Sequence, residues 1–133
     1  MTPDRPVVVA LGAVDPTLVN GVLGSGISFL AEPSADDLAV AVGAIARADA
    51  AVDNAFFEQA PRLRVVARTG VGVDLVDLAA ASARGIPVVI TPGSGTRAVA
   101  EGVLAFAPPL VRRLGPFTRL IREGRWAERD EVA

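Results

Sequence analysis

Arg64-Val65-Val66-Ala67-Arg68-Thr69-Gly70-Val71-Gly72-Val73-Asp74 is the stretch whose reading decides the fold. It opens with an apolar run that reads as a buried strand. It then breaks into two glycines separated by one valine, and a helical pattern follows from Val76 to Arg84. A strand that enters a glycine turn before a helix leaves main-chain N–H groups pointing outward. With the helix dipole behind them, such groups hold a carboxylate or phosphate. Asp74 and Asp77 stand where the helix should begin, and either can cap it. The plain alternative is a tight turn with no ligand.

Outward from this turn, strand and helix signals alternate. Toward the N-terminus, Val7-Val8-Val9-Ala10-Leu11 is a short continuous apolar run, as in a strand covered on both faces. Asp15-Pro16 predicts a helix start, with Asp15 as cap and Leu18, Val22 and Leu23 toward the sheet. Gly24 and Gly26 stop that helix, and Ile27 to Leu30 reads as the second strand. Asp36 or Ser34 is expected to cap a helix through about Ala46, with Leu38, Val42 and Ile45 on one face. Asp49 to Val52 then reads as a short third strand, and Asn54 caps a brief helix ending before Pro61. Leu63 to Ala67 is the fourth strand. Past the glycine turn, Gly85 and Pro87 end the helix, and Val88 to Ile90 is the fifth strand. Five alternations at short spacing predict an α/β fold, an open parallel sheet with helices on both faces. Ligands of such sheets sit off the carboxyl ends of the strands, where Val71-Gly72 and Thr91-Pro92-Gly93 both fall.

Beyond the fifth strand, Thr96 can cap a long helix carrying Val99, Val103, Leu104 and Phe106. Pro108-Pro109 predicts a break near Ala107, since an internal proline removes a hydrogen bond and clashes with the preceding turn. A second helix is expected from about Pro116, with Phe117, Leu120 and Ile121 apolar. The charged tail from Glu128 to Glu131 is expected to be loose.

Composition narrows the chemistry. The chain has 133 residues, enough for one domain that builds a core without staples. Apolar residues make up 51%, which excludes disorder, and the formal charge of −2 comes from interspersed acids and bases. No basic stripe and few aromatics speak for nucleic acid, so none is expected as a partner. Cysteine is absent, which removes disulfides, thiol catalysis and thiolate metal sites; no metal is expected. Histidine is also absent, so proton chemistry here must use Asp, Glu, Arg, water or another polypeptide. The opening Met1 to Pro6 does not read as a signal peptide, and no run approaches a membrane span. A soluble cytoplasmic protein, with no membrane partner, is the expectation.

Arg68-Thr69-Gly70-Val71-Gly72-Val73-Asp74, Val76-Asp77, Gly85-Ile86-Pro87-Val88-Val89, Thr91-Pro92-Gly93 and Ala98-Val99-Ala100-Glu101 occur in that order. Together they resemble the D-isomer-specific 2-hydroxyacid dehydrogenases, and the resemblance is sharpest between about Arg64 and Glu101. It implies a flavodoxin-like, doubly wound, five-stranded parallel sheet of order 2-1-3-4-5, followed by C-terminal interdomain-type helices. It implies a substrate-binding domain over residues 1–101 and interdomain helices and tail over 102–133. It implies that the chain ends before the family's NAD-binding Rossmann domain.

The resemblance also implies site residues. Val71 and Gly72 match positions whose N–H groups receive the carboxylate of a 2-hydroxy or 2-oxo acid. Arg68 matches a substrate-contacting position in phosphoglycerate dehydrogenases; its bland alternative is a surface arginine pairing with Asp74. Gly95 stands where family members often carry an asparagine that touches the carboxylate, and Ile90 replaces another asparagine. Thr91 matches a position at the nicotinamide end of the cofactor, and Thr96 is placed with it; a turn threonine before Pro92 is the alternative. Glu101 reads as structural, and it stands four residues from Arg97, so the two can pair on a helix. Pro108-Pro109 falls where the family has an unbroken helix. The catalytic arginine, carboxylate and histidine of the family have no counterpart here, so no catalytic residue is assigned.

The dinucleotide fingerprint is missing as well, because Gly70-x-Gly72-x-x-Leu75 lacks a third glycine. NAD or NADP is therefore expected in the complete enzyme and not on this chain alone. The missing Rossmann domain is the expected partner, together with a homodimer through the helices from Leu104 to Trp126. A different class of reading is a non-catalytic flavodoxin-like module that binds an anionic metabolite or a partner.

Overall fold

A computed structural model describes residues 5–132. The reading of the opening as leaderless falls partly on residues 1–4, outside the described residues. One compact unit ends at Ser94 and a second begins at Gly95.

The first unit runs β1 (Val7–Leu11), α1 (Pro16–Leu23), β2 (Ser28–Leu30), α2 (Ala35–Val40), β3 (Ala41–Ala46), α3 (Asn54–Gln59), β4 (Val65–Arg68), α4 (Leu78–Ala83) and β5 (Val88–Val89). The strands form one sheet in the order β2-β1-β3-β4-β5. Every neighbouring pair is parallel. This is the expected flavodoxin-like topology. The core is built on Val9, Val52 and Val66, with Phe56, Phe57, Leu63, Ala81 and Ile86 packed around them.

Local chemistry sets the helix starts. The Asp15 carboxylate accepts from Thr17 N–H at 2.8 Å, with Pro16 in the first turn of α1. Asp77 caps α4 by accepting from Ala80 N–H at 2.8 Å, so this helix starts at Leu78 and not at Val76. Asp53, rather than Asn54, caps α3, accepting from Phe56 N–H at 2.9 Å. Gly24 and Gly85 follow their helices with positive φ, as expected of residues without a Cβ.

Several expectations are corrected. The helix capped by Ser34 stops at Val40, and Ala41–Ala46 is the central strand β3, not the end of a helix. A short apolar run cannot be assigned to helix or strand by periodicity alone, and small residues fit the middle of this sheet. A Cβ on Gly43 would lie 3.2 Å from the Val8 side chain and 3.5 Å from that of Val65. The expected third strand at Asp49–Val52 is only a single parallel bridge, Val52 to Val76. In α1 the half-buried stripe is Val19 and Leu23, whereas Leu18 and Val22 are 70% and 86% exposed. The buried face is thus turned by one residue from the predicted one.

In the second unit, α5 (Thr96–Val111) is capped by Gly95 with no side-chain bond, so Thr96 is its first residue and not its cap. No break occurs at Ala107; Pro108 and Pro109 lie inside the helix. The carbonyls they leave unpaired belong to the exposed residues Leu104 and Ala105, where solvent can satisfy them. The interruption comes later, where Arg113 adopts a left-handed φ of 50°. Next, α6 (Leu114–Arg122) begins two residues before Pro116, which sits harmlessly in its first turn. Leu120 is buried, and the Phe117 and Trp126 rings lie 5.9 Å apart. The tail is ordered as a 3₁₀ helix, Trp126–Glu131. Arg125 holds it, pairing with Glu123 at 2.8 Å and Glu128 at 2.5 Å.

Candidate functional site

β4 ends at Arg68, opposite Ala46 of β3, while Ala67 is opposite Val89 of β5. The segments after these three strands therefore leave the same edge of the sheet. Thr69 N–H donates to Ala46 O at 3.1 Å, continuing the ladder by one residue. The chain then turns through Gly70, Val71, Gly72 and Val73 before α4.

The hydrogen bonds of this turn are one-sided. Gly70 O accepts from Thr91 N–H at 3.0 Å, Val73 O from Val76 N–H at 2.9 Å, and Leu75 O from Val52 N–H at 2.8 Å. Gly72 O accepts from Arg68 Nε at 3.1 Å. The N–H groups of Gly70 through Leu75 donate to no protein group among the described residues. The carbonyls of Gly70, Gly72, Val73 and Leu75 are thus engaged while the N–H groups are left over, with Val71 64% exposed. Free N–H groups at the carboxyl edge of a parallel sheet are donors that an anion can take. The Asp74 carboxylate opposes this in part, since its Oδ2 lies 3.1 Å from where a Cβ on Gly72 would stand.

Arg68 is neither a surface arginine nor a partner of Asp74. It is 5% exposed, and its guanidinium donates from Nε to Gly72 O and from Nη1 to Arg47 O. Thr91 is brought to the turn through its N–H bond to Gly70. Its exposed hydroxyl lies 3.2 Å from the Ser94 hydroxyl. Arg68, Val71, Gly72 and Thr91 are therefore gathered at one edge of the sheet. Gly95 and Thr96 belong to the second unit, as do Arg97 and Glu101, which pair at 2.7 Å as expected.

Arg47 escaped the sequence reading. It follows the last residue of β3, its side chain is exposed, and its carbonyl is the second acceptor for Arg68. The misassignment of Ala41–Ala46 as helix hid it; with β3 assigned, an arginine just past a strand's carboxyl end is the signal. Elsewhere along this edge a cleft of about 920 Å³ opens beside Gly12, Asp15 and Glu32, and it shares no lining residue with the glycine turn.

A dinucleotide pyrophosphate needs a glycine turn that runs straight into a helix N-terminus. Here the third glycine position is Leu75, α4 starts only at Leu78, and its first turn is already capped by Asp77. The residues of this turn do not fit that group. Among the described residues no cluster of three or more potential metal ligands occurs, and no helix is long and apolar enough to cross a membrane.

The catalytic-domain model of the D-isomer specific 2-hydroxyacid dehydrogenases matches residues 21–126. D-3-phosphoglycerate dehydrogenase of Mycobacterium tuberculosis is 35% identical over 127 residues, 91% of this chain and 24% of that relative. Glyoxylate reductase of Korarchaeum cryptofilum is 41% identical over 75 residues, 56% of this chain and 23% of the relative. A 2-hydroxyacid dehydrogenase structure from Ketogulonicigenium vulgare Y25 superposes with a TM-score of 0.74 at 30% identity, covering 96% of this chain and 42% of that one. D-lactate dehydrogenase of Aquifex aeolicus, solved with NAD and lactic acid, shares the fold at a TM-score of 0.79 and 20% identity, over 90% of this chain and 38% of that one. The chain spans about a quarter or less of the length of the curated relatives it matches. With the family model matched over most of its length and the family's sheet order reproduced, the chain belongs to the D-isomer specific 2-hydroxyacid dehydrogenase family.

Proposed function

We propose that this chain is the substrate-binding part of an NAD(P)-dependent D-2-hydroxyacid dehydrogenase, and that its glycine turn receives the carboxylate of a 2-hydroxy or 2-oxo acid. The observation that carries the reading is the one-sided turn, with carbonyls engaged and N–H groups from Gly70 to Leu75 left for a ligand. Val71 and Gly72 are assigned as donors through the family pattern, and the Val73 N–H, coupled to the Gly72 carbonyl, joins them. Thr91 lines the same edge, and Gly95 and Thr96 are assigned to the substrate and cofactor sides through the family pattern. Arg47, exposed just past β3 with its carbonyl held by Arg68, adds positive charge at this sheet edge for a second anionic group on the acid. That matches a phosphorylated acid better than a two-carbon one.

In this reading the proton is taken outside these residues. There is no histidine, and the glycine turn does not fit a dinucleotide. In this proposal the nicotinamide cofactor and the acid–base pair are held by a Rossmann domain outside these residues. The overall reaction is hydride transfer between the nicotinamide and the carbon bearing the hydroxyl. This chain's part is to bind and orient the acid.

The test is a titration of the ¹⁵N-labelled chain with glyoxylate and with 3-phosphoglycerate. The amide resonances of Val71 and Gly72 are expected to move with saturation, and those of the β2 edge to stay in place. Movement confined to other regions would remove the assignment. A parallel assay of the purified chain with NADH and either 2-oxo acid is expected to show no NADH oxidation above background.

A further inference from the structure

We infer that Arg68 is a positioning residue, which orients the glycine turn by holding two main-chain carbonyls from behind and does not itself touch the bound acid. The inference rests on the reading of the turn as a carboxylate site. Arg68 ends β4 with its side chain folded into the protein and 5% exposed, so little of it is left to meet a ligand. Its planar guanidinium spans two loops: Nη1 donates to Arg47 O after β3, and Nε to Gly72 O after β4. A rigid fork can satisfy two such acceptors together, and a lysine ammonium cannot reproduce that geometry.

The consequence follows from the trans peptide. In each peptide unit the C=O and the next N–H point in opposite directions. When Arg68 draws Gly72 O inward, it turns the Val73 N–H outward. Thr91 N–H does the same through Gly70 O for the N–H of Val71. The two grips, on the carbonyls of Gly70 and Gly72, turn the N–H groups of Val71 and Val73 outward on either side of the Val71–Gly72 peptide.

The charge of Arg68 points the same way. It takes part in no ion pair among the described residues, and both its acceptors are neutral carbonyls. A buried cation without a counter-ion is costly. A carboxylate on the far side of the turn supplies that counter-ion through the peptide planes Arg68 holds, against the repulsion from Asp74.

The test compares Arg68→Lys and Arg47→Gln with the native chain, using glyoxylate and 3-phosphoglycerate as probes. If Arg68 positions the turn, Arg68→Lys weakens both acids by the same factor, about tenfold or more, because each loses the same N–H groups. Arg47→Gln weakens only the phosphorylated acid. In the ligand-free protein, Arg68→Lys also displaces the amide resonances of Gly70 to Asp74 while the melting temperature changes little. Ethylguanidinium is expected to restore glyoxylate binding to Arg68→Ala. A loss confined to 3-phosphoglycerate would mean that Arg68 contacts the acid's distal group, and the inference would fail. Unmoved turn resonances in ligand-free Arg68→Lys would overturn it by themselves. If the native chain binds neither acid, the carboxylate reading falls, and the ligand-free resonances still decide the role of Arg68.

Discussion

Gly12 shows how closely single residues constrain this edge of the sheet. It has a φ of 90°, and a Cβ there would lie 3.0 Å from Arg47 Cβ and 3.2 Å from Asp49 Oδ1. A side chain is strained by the backbone and blocked by Arg47, the residue whose carbonyl Arg68 holds. Gly12→Ala is expected to cost about 1–3 kcal/mol in denaturant unfolding. Gly72 is different. Its φ is not in the left-handed region, and the only near atom is the rotatable tip of Asp74. Gly72→Ala is expected to change stability by less than about 1 kcal/mol in the same measurement. The exposed Arg97–Glu101 pair is worth little: Glu101→Gln should shift stability by about 0.5 kcal/mol or less, with the difference vanishing in high salt.

At the scale of elements, α3 and the cap of α2 are the informative pieces. Phe57 is 2% exposed, packs against Phe56 with ring centres 5.7 Å apart, and carries the Arg84 guanidinium over its ring. Phe57→Ala removes this anchor and is expected to cost about 3–5 kcal/mol by chemical denaturation. Ser34 and Asp37 form a reciprocal cap on α2. The Ser34 hydroxyl, and after it the Ser34 N–H, hold the Asp37 carboxyl below its ordinary value of 3.8. A lowered folded-state pKa stabilises above the ordinary value and is lost as pH falls through the folded one. The α2 cap is therefore expected to be intact near neutral pH and to weaken below about 3.8. Acid titration of the native chain against Ser34→Ala checks this, since the variant should lose that part of the pH dependence.

For the whole molecule, the two units differ in how much they bury. The first has a continuous core from Val7 to Ile86, whereas in residues 95–132 only Leu120 is buried among the large apolar side chains. Leu104, Phe106, Leu110 and Trp126 are all exposed. A segment with so little buried area opens at low free energy. Limited proteolysis is expected to cut within residues 95–132 well before the sheet. Covering the same residues by a second copy is the proposed remedy, and light scattering during gel filtration should then give twice the chain mass. A monomer at all concentrations would count against that dimer.

Much was legible from the chain alone, because its signals are local. Glycine pairs, aspartates ahead of helices and short valine runs report backbone conformation within a few residues. They predict the alternation, the turn at Val71-Gly72 and the caps Asp15 and Asp77. The family pattern supplied the strand order. What stayed illegible depends on neighbours distant in sequence. Whether Ala41–Ala46 is helix or strand is settled by Val8 and Val65 on either side of Gly43. Whether Pro108-Pro109 breaks α5 depends on solvent reaching the carbonyls they orphan. The inward turn of Arg68 is decided by two carbonyls, one of them 21 positions away in the loop after β3. Local pattern determined the turns, most of the caps and four of the five strands, because these signals act within a few residues; tertiary packing decided that Ala41–Ala46 is the central strand, which face each element shows and which groups remain free to bind.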